Sequence, residues 1–256
     1  MIELNVLTDV VKEAAPLMQS REFDTMSKGG YANIVTSVDV AVQDFLRTRL
    51  AEVLPGSGFL CEEEDAHDLG HEYVWIIDPI DGTANFARGI AECAISVGLC
   101  RSGEMCLGVV YSPFTGEFFA AQKGCGATLN GRRISVSSRP FADSVLCTAL
   151  PVYYKEYSRC CSEIILDAFN QCNDLRRFGS AAMELCYLAM GRCDVYFEYR
   201  LSPWDFAAAS LVLKEAGGCI CGLKGDVLDP FAASGIIAAN CQDNLNKMVE
   251  IVNAHI

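Results

Sequence analysis

The 256-residue chain is short of basic residues. Lysine and arginine total 20 against 33 aspartates and glutamates, a formal charge of −13 with histidine neutral. Nonspecific binding to nucleic acid or to an anionic membrane needs basic patches, so this balance argues against both. No apolar run approaches the roughly 18 residues of a membrane span. The start, Met1-Ile2-Glu3-Leu4-Asn5, has no basic region and no long apolar stretch behind it, unlike a secretory signal. Fourteen cysteines are present, but none forms a C-x-x-C pair. Their density is below that of small disulfide scaffolds, and most lie in apolar runs, where a thiol acts as a small hydrophobe. Reduced core cysteines in a cytoplasmic protein are the expectation, not a redox or zinc centre. His67 and His71 are four apart, but Gly70 and the charged surroundings suggest a solvated loop.

What is there is enough apolar material for a large core, 51% of residues. Leu7, Val10, Val11, Ala14, Leu17 and Met18 recur at helical spacing, and a second helix follows Thr36-Ser37 and ends before Pro55-Gly56. A strand from Tyr73 to Ile77 is expected to stop at Asp78-Pro79. Strands then follow near Ala94–Cys100, Cys106–Tyr111 and Glu117–Gln122, and Asn130-Gly131 reads as a hairpin turn. Beyond Arg139-Pro140 short strands alternate with helices, among them Tyr154–Asn170 and a helix from Asp205 closed by Gly217-Gly218. The fold class is therefore α/β, with an α+β unit over residues 1–140, an α/β unit over 141–256, and a site between them.

The chemistry concentrates in Trp75-Ile76-Ile77-Asp78-Pro79-Ile80-Asp81-Gly82-Thr83-Ala84-Asn85-Phe86. A buried strand ends in two carboxylates three residues apart. Asp78, Asp81 and the Ile80 carbonyl offer hard oxygen donors without sulfur or imidazole, which suits Mg²⁺. Gly82 lets the backbone approach a ligand, and a turn opening at Gly82-Thr83 would add N–H groups for an anion. Cations beside such a turn make a phosphate site.

Three further segments stand with it: Asn33-Ile34-Val35-Thr36-Ser37-Val38-Asp39, Cys61-Glu62-Glu63-Glu64, and Ser202-Pro203-Trp204-Asp205-Phe206-Ala207-Ala208-Ala209 running into Glu215-Ala216-Gly217-Gly218. Together the four segments resemble the inositol monophosphatase family, of the bacterial inositol-1-monophosphatase type. Its signatures D-P-I-D-G-T-x-N-F and W-D-x-A-A with E-A-G-G appear in order over most of the chain. The resemblance implies a layered αβαβα sugar-phosphatase fold and two or three Mg²⁺ ions. The metal-binding glutamate falls on Glu62, although Cys61 in place of the usual glycine leaves the register among Glu62, Glu63 and Glu64 open by one. Asp78, the Ile80 carbonyl, Asp81 and Asp205 complete the implied metal set. Gly82 and Thr83 match the phosphate-binding turn, and Thr83 with Glu62 would orient the attacking water. Asp39 would support that water from behind, and Lys28 lies at the mobile-loop lysine. Gly179, Ser180, Ala181, Glu198 and Asp205 match the sugar pocket.

The implied activity is Mg²⁺-dependent hydrolysis of inositol monophosphate by an activated water. Relatives with these motifs act on fructose 1,6-bisphosphate, histidinol phosphate, nucleotide 3′-phosphates or NADP; the other reading is a phosphatase-like interaction protein without catalysis. A haloacid-dehalogenase-like aspartyl nucleophile needs D-x-D, whereas the spacing here is D-x-x-D. The resemblance also implies lithium sensitivity, a homodimer, and a small phosphorylated polyol or sugar as partner, while the charge balance speaks for no nucleic-acid or membrane partner. Residues 151–174 match no family pattern and are expected to shape specificity. Arg200 and the pair Arg176-Arg177 are candidates for contact with a second phosphate, and Arg132-Arg133 for an exposed hairpin end.

Overall fold

Leu7, Val10, Val11 and Ala14 share one face of α1 (Leu4–Ala14), as their three- and four-residue spacing dictates. They pack against Val38, Val42, Leu46 and Leu50 of α2 (Ser37–Val53). The computed structural model describes residues 2–19, 23–29, 33–64 and 66–256, with the side chains of 27–29 and 33 outside the description. Between the two helices a short antiparallel pair forms, β1 (Thr25–Gly29) and β2 (Asn33–Thr36). The sequence reading had assigned Asn33–Thr36 only to the approach of α2. Thr36 caps that helix, its hydroxyl accepting from the Asp39 N–H at 3.4 Å while the Asp39 carboxylate accepts from the Thr36 N–H at 2.8 Å.

Both helices lie on a seven-stranded sheet in the order β3 (Gly58–Cys61), β4 (Tyr73–Asp81), β5 (Ala94–Arg101), β6 (Glu104–Ser112), β7 (Glu117–Gln122), β8 (Gly126–Leu129), β9 (Arg132–Arg133). It is antiparallel except between β3 and β4. One turn of helix, α3 (Thr83–Phe86), follows β4. The second sheet has five strands in the order β11 (Asp174–Arg176), β10 (Val145–Thr148), β12 (Val195–Leu201), β14 (Ser234–Ala239), β13 (Cys219–Cys221).

Helices α5 (Ala181–Ala189) and α6 (Pro203–Glu215) fill the space between the sheets. Their Leu185, Leu188, Leu211 and Val212 share a core with Val110 and Phe119 of one sheet and Tyr196 and Ile236 of the other. On the far face of the five-stranded sheet, α4 (Ser158–Phe169) and α7 (Gln242–Asn253) bury Ile164, Met248 and Ile251 against Leu146, Phe197 and Ile237. The layers thus run α1/α2, sheet, α5/α6, sheet, α4/α7, the αβαβα order.

A helix sandwiched between two sheets must be apolar all round, and every α6 residue from Phe206 to Leu213 is buried. It sits unusually close to the larger sheet. A Cβ on Gly108 would come within 2.5 Å of the Ala208 carbonyl oxygen, and Gly98 also faces Ala208. The alanine run after Trp204-Asp205 is therefore a packing surface. Among the described residues no helix is long and apolar enough to cross a membrane, and all fourteen cysteines are unpaired.

Candidate active site

β4 does not stop at Asp78-Pro79 but continues to Asp81. The reason lies in its pairing: Asp78 opposes Ser96 and Asp81 opposes Ala94, so three steps on β4 match two on β5. In a regular strand residues three apart face opposite sides; one extra residue turns Asp78 and Asp81 to the same side. Pro79, which has no N–H to give a ladder, sits in that interruption. Ser96 also donates its hydroxyl to the Trp204 carbonyl at 3.3 Å, which fastens the start of α6 beside Asp78. Asp205, in the first turn of α6, accepts the Ser202 N–H at 2.7 Å. As a result one carboxylate oxygen from each of Asp78, Asp81 and Asp205 lies within 4.8 Å of the others.

No cation neutralises these acids among the described residues, and their proton affinities show the cost. Burial, followed by the charges of Glu62, Asp81 and Asp205, pushes the Asp78 carboxyl well above its ordinary range. Asp81 is pushed up by burial to about 6, less far because the Ser180 hydroxyl and the Ala182 N–H donate to it at 2.5 and 2.7 Å. Burial and the charges of Asp81 and Glu62 raise Asp205 as well. Asp78 Oδ1 is buried with no hydrogen-bond partner. Oxygen-only and mutually repelling, with one oxygen unsatisfied, the donors fit a hard divalent cation. Glu62, just past β3, lines the same cleft, as does Ile80, whose carbonyl accepts from Thr83. Of the acidic run, Glu64 pairs instead with Arg47, and Glu63 donates its N–H to Gln43 at 2.9 Å.

The turn after β4 depends on Gly82, at φ +89°. A Cβ there would lie 3.0 Å from the Glu92 carbonyl and 3.1 Å from that of Gly179, so the chain passes between them only as glycine. The Thr83 hydroxyl lies 3.1 Å from Asp39 Oδ1 and 3.0 Å from the Ile80 carbonyl. Its proton is committed to those acceptors, which leaves oxygen lone pairs for the cleft. Asp39 is fully buried and held from the other side by the Thr36 N–H and hydroxyl at 2.8 and 2.5 Å.

The opposite wall comes from the C-terminal half. Gly179, Ser180 and Ala181 lead into α5, and Glu198 projects from β12, its Oε2 accepting the Tyr196 hydroxyl at 2.7 Å. Burial lifts Glu198 to about 7 against that hydrogen bond. All of these groups surround one cleft of about 610 Å³.

Residues 3–256 match the profile of the inositol monophosphatase family. The chain belongs to that family. The Nus factor SuhB of Vibrio cholerae is 37% identical over 231 residues, 89% of this chain and 85% of that protein. The crystal structure of the extragenic suppressor protein suhB from Bartonella henselae superposes with a TM-score of 0.91 at 31% identity, covering 98% of each chain. The IMPase of Thermotoga maritima gives 0.87 at 30% identity over 98% of this chain and 96% of that one.

Within this inositol monophosphatase-family chain the cleft gathers Glu62, Asp78, Ile80, Asp81, Gly82, Thr83, Gly179, Ser180, Ala181, Glu198 and Asp205. Asp39 does not line it but reaches it through Thr83. The Lys28 side chain lies outside the described residues. Two residues escaped the sequence reading. Asn85 donates its amide to the carbonyls of Glu92 and Phe178, both at 2.7 Å, tying the Gly82-Thr83 turn to the opposite wall; it stood inside the quoted motif without a role. Glu184 is 1% exposed, and its Oε1 accepts the N–H groups of Phe178 and Gly179 at 2.6 and 2.9 Å while Oε2 has no partner. Its only sequence signal was an acid in the apolar first turn of α5.

Proposed function

We propose that the chain hydrolyses phosphate monoesters of small polyols with Mg²⁺, inositol monophosphate being the leading substrate. The observation that supports this most is the meeting of Asp78, Asp81 and Asp205 oxygens within 4.8 Å, with Asp78 Oδ1 unsatisfied, against the Gly82-Thr83 turn. Two Mg²⁺ ions, held by Glu62, Asp78, the Ile80 carbonyl, Asp81 and Asp205, would supply Lewis-acid charge at the phosphoryl and leaving oxygens and ease the ionisation of water. The chain's own groups do the orienting. Thr83, with its proton turned to Asp39 and Ile80, presents a lone pair to the water that attacks phosphorus, and Glu62 is the second acceptor for that water. Asp39, gripped by Thr36, keeps the hydroxyl from rotating. Gly82 allows the phosphate to approach the backbone, and Ser180 holds Asp81 in place. Glu198 accepts from a hydroxyl of the polyol.

A phosphatase-like interaction protein is the competing reading, and the SuhB relatives named Nus factors keep it in view. Against it, Glu62, Asp78, Asp81, Thr83 and Asp205 all carry usable chemistry in this chain. The deciding experiment measures phosphate release from a panel of monoesters with Mg²⁺ and with chelator. Mg²⁺-dependent release from inositol monophosphate is expected. No release with any divalent metal would sink the proposal.

A further inference from the structure

Gly179 turns the chain into α5 through the left-handed region, at φ +85°. At that turn the backbone of Phe178 and Gly179 is held from two sides by side chains. Glu184 reaches back from α5, and its Oε1 accepts both N–H groups, at 2.6 and 2.9 Å. Asn85, in α3, donates its amide to the Phe178 carbonyl at 2.7 Å and to the Glu92 carbonyl at the same distance. The fit is close: a Cβ on Gly179 would come within 3.1 Å of the Asn85 nitrogen, so the turn takes glycine for its contact as well as its φ.

Glu184 is an unexpected group for this task. It is 1% exposed, and its Oε2 is buried without a partner. Burying a half-satisfied carboxyl is unfavourable, and the two N–H bonds are what offset it. Packing alone would be served better by leucine, since the neighbours Met183, Leu185 and Cys186 are all buried and apolar.

The effect of the clamp lies one residue further on. Ser180 donates its hydroxyl and Ala182 its N–H to Oδ2 of Asp81, at 2.5 and 2.7 Å. The same Ser180 hydroxyl caps α5 by accepting the Met183 N–H at 3.3 Å. The first turn of α5 therefore sets the orientation of the Asp81 carboxylate, and the Phe178–Gly179 backbone leads directly into it. Asp81 and Asn85 come from the N-terminal half, Glu184 and Ser180 from the C-terminal half, so the same bonds fix one half against the other.

We infer that Asn85 and Glu184 are positioning residues, which together fix the Phe178–Gly179 backbone so that the start of α5 holds Asp81 in its cation-binding orientation. The inference rests on the proposed metal-dependent reading and adds two residues outside the carboxylate cluster on which that cluster depends. Both act through one stretch of backbone. Losing the hydrogen bonds that orient a metal ligand weakens metal binding by roughly ten- to a hundredfold.

The test measures Mn²⁺ binding by EPR and Mg²⁺ binding by calorimetry on the full chain at pH 7, without turnover. Glu184→Leu and Asn85→Ala should each weaken binding by about tenfold. Glu184→Gln removes the same ionisable group but keeps an oxygen for the two N–H groups, so its affinity should stay within about twofold of wild type. Because both residues act on one peptide, the double variant should lose about tenfold and not about a hundredfold. Asn244→Ala controls for lost stability alone: it removes buried hydrogen bonds to Arg139 and Asn240 at α7, so it should melt earlier and bind the cations as wild type does. If Glu184→Leu does not fold, half-buried Asn85→Ala together with Glu184→Gln decides the matter. Unchanged affinity in Asn85→Ala or Glu184→Leu, additive losses, or an equal loss in Glu184→Gln or Asn244→Ala would overturn the inference. Absence of cation binding in wild type would overturn the metal-dependent reading itself, and the inference with it.

Discussion

Glu184 makes a prediction whose sign follows from its surroundings. Burial pushes its carboxyl from an ordinary 4.5 up to about 8, against the pull of the Gly179 and Phe178 N–H groups. Oε1 serves both donors, and Oε2 has no donor near it, which is where a proton would sit. In the unfolded chain the group ionises near 4.5, while in the fold it keeps its proton until about 8. Below pH 4.5 both states are protonated and the stabilisation is complete. As pH rises toward 8 the unfolded state alone is favoured by ionisation, so stability is lost across that window and levels off above it. At 1.36 kcal/mol per pKa unit, the full loss is on the order of 5 kcal/mol, of which about 4 falls between pH 5 and 9. Glu184→Gln copies the protonated acid: its oxygen serves the two N–H groups, and nothing titrates. Urea denaturation in EDTA at pH 5 through 9 should find the variant near wild type at the acid end. At the alkaline end it should be more stable by about 3–4 kcal/mol. The other buried acids titrate in both proteins and cancel in the difference. Parallel curves would refute the argument, since they would mean that Glu184 ionises alike in both states.

Asp81→Asn should separate stability from activity: relief of repulsion raises the melting temperature in EDTA, while Mg²⁺-dependent phosphate release falls at least about a hundredfold. Wild-type turnover with Mg²⁺ would show that Asp81 holds no metal. Thr83→Ser should keep most of kcat and Thr83→Val lose about a hundredfold if the hydroxyl held by Asp39 and Ile80 orients water as proposed; equal rates would remove Thr83 from the mechanism. Gly82→Ala should destabilise by about 2 kcal/mol or more in thermal melts, because it joins a left-handed backbone to contacts of 3.0 and 3.1 Å.

How much of this was readable beforehand depends on where each determinant resides. The identity of the acids was legible because Asp78 and Asp81 stand in one short motif and Asp205 in another, and a motif is a local pattern. Their convergence was not. It rests on the extra residue between Asp78 and Asp81, and an interruption of register exists only relative to β5, the strand opposite. The expected end of β4 at Pro79 failed for the same reason: proline ends a strand that needs its N–H, and here the bulge removes that need. Glu184 is the extreme case, since the two N–H groups it serves precede α5 and only the finished fold shows that they had no other acceptor.

Net charge followed the same division. Counting 33 acids and 20 bases argued against polyanion binding and treated charge as uniform. In the fold the acids that matter lie at the base of one cleft, where burial and mutual repulsion raise Asp78, Asp81 and Asp205 together. Arg88, Arg177 and Arg200 stand on the wall of that same cleft. Two divalent cations would reverse the sign at the base and leave positive charge along the wall, a local charge pattern that the sum of charges hides.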